Sequence, residues 1–149
     1  MKRFIILFLL ITTTCFAFDA WDESGEAGRL ESNLAKFVVQ QENILYWEGH
    51  EFESLYAFDM GRIYENSMAT YQVDMKVGTR YVFYTLTTGE LVYVCVRKDS
   101  DKHYYDGKIS NKVVYNFIPT ESGSYHYVVK SMAGDKRGLH YSCVDYITK

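Results

Sequence analysis

Proline is nearly absent from this chain of 149 residues, with Pro119 the only one, and no apolar run approaches the length of a membrane span. The first scarcity excludes a proline-rich linker protein, and an apolar fraction of 48% excludes a disordered one. A spanning helix needs about 20 apolar residues, and the strongest run, Phe4 to Ile11, is far shorter. Catalytic signatures are missing as well. Neither Gly-x-Ser-x-Gly nor Ser-x-x-Lys stands in a strand–turn–helix context, and none of His50, His103, His126 and His140 belongs to a His-Glu-x-x-His pair. The chain therefore reads as no enzyme, with a hydrolase whose site is hidden from sequence as a remote alternative, since triads are recognised by geometry.

Positive charge is also scarce. The formal net charge is -3, and the one short basic cluster, Lys108 to Lys112, lies in a loop with acids upstream. A polyanion binder needs a clustered basic face, so nucleic acid is not an expected partner.

What is present begins with an export signal. Lys2 and Arg3 precede the apolar run Phe4 to Ile11, and Cys15-Phe16-Ala17 forms a small-residue exit, so residues 1–17 read as a secretory signal peptide cleaved after Ala17. Lipidation at Cys15 is disfavoured by Thr14, where such signals prefer Gly, Ala or Ser. Loss of Lys2 and Arg3 takes the net charge from -3 to -5. The expected location is periplasmic or extracellular, with no membrane span.

Residues 18–60 read as a polar leader followed by a helix packed on the body of the protein, and residues 61–149 as a β-sandwich forming one globular domain with them. From about Glu26 to Tyr46, Leu30, Leu34, Phe37, Val38, Gln41 and Leu45 recur at helical spacing, and Gly49 ends the helix. A short strand is expected within Glu51 to Met60, then an extended piece at Gly61 to Tyr64. Aromatic and β-branched runs follow at Met68–Val77, Arg80–Leu86, Leu91–Arg97, Lys112–Ile118, Tyr125–Lys130 and Leu139–Ile147, separated by turn clusters. Fourteen tyrosines suit a thin sandwich whose rings reach both core and rim. Leu91–Arg97 is apolar on both faces, which marks a central or covered strand with the helix as its cover. The expected core comprises Val73, Tyr81, Phe83, Tyr93, Val94, Val114, Phe117, Tyr127, Val129 and Tyr141.

Cys95 and Cys143 remain after cleavage, in an oxidising compartment. Two readings stand: a disulfide between them, or two buried free thiols. No Cys-x-x-Cys pair or spaced histidine makes them a metal site. Asp99, Asp101 and Asp106 share one loop, but Lys98, Lys102 and Lys108 interleave with them, so the loop reads as solvated rather than as a calcium site. No cofactor is expected.

The same loop carries the candidate binding residues His103, Tyr104, Tyr105 and Asp106. Three neighbouring rings at a sandwich tip either meet a partner or fold back to cap the core.

The order of Gly78 with Tyr81, the strand Leu91 to Val96, Phe117 and Pro119 leading to Gly123 and Tyr125, and Tyr141 with Tyr146 resembles bacterial pre-peptidase C-terminal-like (PPC-like) domains. The resemblance spans about Gly61 to Tyr146 and implies a jelly-roll-type antiparallel β-sandwich. Many such domains carry an Asp-x-Asp-Leu strand sometimes associated with calcium; Gly89-Glu90-Leu91-Val92 stands here instead, without the acid pair.

The sequence thus leads to a mainly β, jelly-roll-type antiparallel β-sandwich with an N-terminal amphipathic helix. It reads as an exported non-catalytic module for binding or adhesion to an extracytoplasmic protein or glycan. The alternative is a structural accessory or inhibitor-like protein that docks on an envelope or secreted partner through helix and sheet edge.

Overall fold

A computed structural model describes residues 25–57, 61–63, 67–132 and 138–149. The signal-peptide reading of residues 1–17 lies outside the described residues.

Helix α1, Glu26–Trp47, buries Ala27, Leu30, Leu34, Phe37, Val38 and Leu45, so the apolar stripe read from the sequence is the packed face. Its end is set by Gly49, whose φ of 84° is accessible to glycine without strain. Gly49 N–H donates to the Tyr46 carbonyl at 3.0 Å and His50 N–H to that of Leu45 at 2.9 Å. These are the paired bonds of a Schellman cap.

Among the described residues nine strands follow: β1 (Phe52–Ala57), β2 (Gly61–Ile63), β3 (Met68–Met75), β4 (Arg80–Thr87), β5 (Val92–Lys98), β6 (Lys108–Ser110), β7 (Lys112–Phe117), β8 (Gly123–Ser131) and β9 (Gly138–Ile147). They form a five-stranded sheet, β1-β9-β4-β7 with β2 also on β9, and a four-stranded sheet, β3-β8-β5-β6. Every pairing is antiparallel. From β3 onward the chain mostly alternates between the sheets, which makes this a jelly-roll-like antiparallel β-sandwich with one N-terminal helix. Strand β6 falls within what the sequence reads as loop, because three residues are too few to show an alternation.

The interior is built from rings and valines: Val73, Met75, Tyr81, Phe83, Val92, Val94, Val96, Val113, Tyr115, Phe117, Tyr125, Tyr127, Val129 and Val144. Phe83 has no exposed surface and stacks on Tyr127 across the two sheets, with ring centres 4.3 Å apart. Two expected core residues sit elsewhere. Side chains alternate along a strand, so Val113, Tyr115 and Phe117 point inward while Val114 faces α1, and Val92, Val94 and Val96 point inward while half-buried Tyr93 faces out. The side chain of Tyr141 lies outside the described residues.

A polar seam crosses this core. Thr85 Oγ1 is 2.8 Å from the Tyr127 hydroxyl and 2.8 Å from Ser142 Oγ, and Tyr71 Oη is 2.7 Å from His140 Nε2. Such groups are tolerated inside because they satisfy one another. The second imidazole nitrogen of His140, Nδ1, has no partner, and burial pulls the pKa of this ring down to about 4.

The helix does not cover β5, as the sequence reading expects. It packs on β4 and β9, where Val82, Tyr84 and Cys143 meet Leu30, Leu34, Phe37 and Val38. Strand β4 is thereby buried on both faces. On the outer side of β5, Cys95 is buried and Tyr93 and Arg97 are half-buried.

Truncation of Phe83 to Ala should cost about 3 to 5 kcal/mol, because a fully buried, stacked ring is lost with little prospect of collapse; chemical denaturation measures it, and a change below about 0.5 kcal/mol would contradict the packing. A second expectation concerns pH. His140 titrates near its ordinary value of 6.5 when unfolded and at about 4 when folded, so the unfolded chain binds more protons between these values. Stability is fully present above about pH 6.5 and falls by about 1.4 kcal/mol per pH unit down to about pH 4. In His140→Gln this component should vanish from the pH profile of denaturation midpoints.

Candidate functional site

The loop after β5 divides its rings between two environments. Tyr105 folds inward, with its ring centre 4.7 Å from Phe117 and 6.5 Å from Tyr125, and His103 lies edge-on to it at 4.7 Å. Tyr104, half exposed, points the other way and lies on the outer side of the four-stranded sheet. Of the two tyrosines, Tyr105 thus caps the core while Tyr104 stays outside it. A short bridge holds the loop to its strand: Lys98 N–H donates to the His103 carbonyl at 2.8 Å, and Tyr105 N–H to that of Val96 at 2.9 Å. Consecutive side chains on such an extended piece must diverge. Asp106 is solvent-exposed, and its main-chain carbonyl accepts the Tyr115 hydroxyl at 2.7 Å.

Gly107 closes the loop against the sheet. A Cβ there would lie 2.3 Å from the Val94 carbonyl oxygen and 2.5 Å from Tyr93 Cζ, so the loop approaches β5 as closely as glycine alone allows.

Cross-strand register defines what Tyr104 lies beside. Arg97 pairs with His126 across β5 and β8, His126 with Gln72 across β8 and β3, and Arg97 bridges to Tyr104 on the other side. The guanidinium carbon of Arg97 is 5.9 Å from the Tyr104 ring centre, within reach of a cation–π attraction. Its Nη2 is 3.6 Å from Asp99 Oδ1, which in turn is 2.5 Å from His126 Nδ1. Burial works against the Asp99 carboxylate, but the hydrogen bond to His126, the adjacent Ser124, and the charges of His126 and Arg97 outweigh it and hold the group below its ordinary range. Arg97 Nε is buried with no hydrogen-bond partner.

The next row outward consists of Thr70, Val128 and Cys95. Burial pushes the Cys95 thiol up in pKa, against the opposing influence of Tyr93 and Arg97, so it is poorly placed to act as a thiolate nucleophile. Cys143 is raised much further by burial beneath α1. Both thiols are free and buried, as in the second of the two readings: Cys95 faces outward from one sheet and Cys143 outward from the other, with the sandwich core between them.

Among the described residues, no group of three or more His, Cys, Asp or Glu side chains could hold a metal ion, and Asp99 instead engages His126 and Arg97. Asp99 and His126 have the arrangement of the first two members of an acid–base relay. The pair places an acceptor and an imidazole side by side on the sheet surface. Helix α1 packs on the other sheet, and Met68, Thr70, Gln72, Asp74, Tyr104 and Lys130 are exposed along this face.

Of the residues proposed from sequence, the structure brings Tyr104 to this face, assigns Tyr105 to the core edge with His103 against it, and leaves Asp106 contributing its main chain. Arg97, Asp99 and His126 escape a sequence reading. Arg97 is legible as an outward position of β5, but its partner depends on β8, some 30 residues away.

The architecture defines the class: a jelly-roll-like antiparallel β-sandwich with one face covered by a helix. No protein-family model matches the chain, and no curated protein does either. Among solved structures, it is similar in outline to PliG, a periplasmic inhibitor of g-type lysozyme from Aeromonas hydrophila, at 14% identity and a TM-score of 0.49 over 66% of this chain and 89% of that one. The C-terminal CBM6 of LamC, a marine laminarinase from Zobellia galactanivorans, aligns at 12% identity over 64% of this chain and 93% of its own, with a TM-score of 0.39. A carbohydrate-binding module, CBM6cm-2, of Cellvibrio mixtus lichenase 5A in complex with cellotriose gives 12% identity, 64% and 86% coverage, and a TM-score of 0.37.

Single substitutions should separate the two tyrosines. Tyr105→Ala is expected to lower stability by about 2 kcal/mol through loss of ring packing, and Tyr104→Ala by no more than about 0.5 kcal/mol. Equal losses in thermal denaturation would contradict the division of the loop.

Proposed function

We propose that the protein is an exported, non-catalytic binding module that holds an extracytoplasmic protein or glycan against the outer face of its four-stranded sheet. The observation that carries this reading is the placement of exposed Tyr104, which the loop turns onto this face beside the hydrogen-bonded group of Arg97, Asp99 and His126. A ring with an exposed flank beside fixed hydrogen-bonding groups suits a ligand with both apolar and polar surface. Ordering costs on binding are low, because the cross-strand contacts already hold the polar side chains.

The alternative of docking through the helix has less to stand on, since the apolar stripe of α1 is taken up by β4 and β9. Export rests on the signal-peptide reading of residues 1–17, with residues 18–60 and 61–149 together forming the mature domain. Among the described residues, no helix is long and apolar enough to cross a membrane. Kinship with PPC-like sandwiches belongs to the same proposal and rests on the pattern of turns and aromatics.

The experiment is capture from a glycan array and from extracytoplasmic protein fractions by the exported protein, followed by titration of each isolated ligand. Tyr104→Ala and Arg97→Met should each weaken binding at least tenfold while the folded state persists. Affinity unchanged in both variants would move the site off this face.

A further inference from the structure

On the opposite side of the sandwich, a cleft of about 600 Å³ separates the first half of α1 from the β4–β5 turn and the start of β7. That volume lies within the range of small-ligand and peptide sites. One wall is a single line on the helix, Arg29, Asn33, Lys36 and Gln40, spaced four, three and four residues apart and all exposed. Thr87, Thr88, Gly89 and Lys112 form the other wall, and Leu30, Phe37 and Leu86 the floor.

The charge of this cleft runs against that of the chain. Three cations line it, Arg29, Lys36 and Lys112, and Glu26 is its one acid, within a protein of net charge -3. Among the described residues, none of the three cations forms an ion pair. The ammonium of Lys112 rests instead over the Phe37 ring, 4.4 Å from its centre. Three cations converging on one concavity in an acidic protein repel one another, and an acidic occupant relieves that repulsion.

We propose that this cleft binds an acidic peptide segment of a partner protein, with one apolar side chain of the segment set on the floor. The remaining lining selects peptide over other polyanions. Asn33 and Gln40 each offer an amide donor and acceptor, the complement of a peptide backbone. Leu30, Phe37 and Leu86 suit an aliphatic side chain. A sugar would want an exposed ring face on which to stack, and the ring of Phe37 is already covered by Lys112. Three cations are too few to hold a nucleic acid, whose affinity rises with each phosphate neutralised. The cleft and the Tyr104 face lie on opposite sides of the molecule, so this site is independent of the one proposed above.

The test is titration of isotope-labelled full-length mature protein with a capped five-residue peptide that places four acidic residues around a central leucine. Saturable binding should shift the amide signals of Arg29 to Gln40, Leu86 to Gly89 and Lys112. Combined Arg29→Gln, Lys36→Gln and Lys112→Gln substitution should weaken it at least tenfold, Lys36→Gln alone by a smaller factor, and Tyr104→Ala not at all. Replacing the four acids of the peptide by their amides should abolish binding. The proposal is overturned by absence of saturable binding, by equal affinity for the amide peptide, by shifts confined to the four-stranded sheet, or by tighter binding of an acidic oligosaccharide at the same residues. Shifts at the cleft that depend on protein concentration without peptide would assign it to a second copy of the chain, and would equally overturn it.

Discussion

A two-sheet sandwich has two outer faces, and the described residues supply one helix with which to cover them. Strand β4 decides where the helix goes. Its inward positions, Tyr81 and Phe83, fill the core, while its outward positions, Val82 and Tyr84, are apolar too, so leaving that side in water would expose a ring and a branched chain at the centre of the sheet. Burial drives the Tyr84 hydroxyl strongly toward its neutral form, with the Asp145 carboxylate nearby adding to the effect. Phe37 meets the Tyr84 ring edge to face at 6.0 Å and locks helix to sheet. The helix is thereby committed to the five-stranded sheet.

The outer face of the four-stranded sheet differs in chemistry from the helix-covered one. Cys95 and Val128 are buried on it, and its long side chains are polar: Arg97, His126 and Lys130. The helix-covered side shows the opposite arrangement, with aliphatic groups against an aromatic strand and the charges displaced to the rim of a cleft. The two faces therefore present unlike surfaces to a partner, one flat and hydrogen-bonding, the other concave, apolar-floored and cationic at the edge.

Periodicity made much of this legible from sequence. The helix stripe from Leu30 to Leu45, its glycine stop and six of the longer strands follow from spacing alone, because each expresses a local rule. Pairing between distant strands does not. Leu91–Arg97 and Arg80–Leu86 are both apolar on two faces, and nothing local says which of them the helix will choose; the wider apolar outward surface of β4 with Cys143 beside it decides the matter only once β9 is known to pair with β4. The misplaced Tyr93 and Val114 have a simpler origin. Each was grouped with a neighbour of opposite parity, Val94 and Phe117 respectively, and strict alternation separates the members of each pair.

The site was less legible for a related reason. Adjacent tyrosines in an extended loop must point to opposite sides, so sequence can state that Tyr104 and Tyr105 differ but not which one is free. The choice is made by the bridge of Arg97 to Tyr104, which sets the parity of the loop against β5, and by Gly107, whose missing side chain lets the returning chain lie flat on Tyr93. With a Cβ at position 107 the loop would have to lift from the sheet. The bridge that fixes the parity of the loop would then be strained, and Tyr104 would lose its place beside Arg97. Placement of the exposed ring, and with it the character of the face it lies on, thus rests on a backbone contact some three residues from the ring itself.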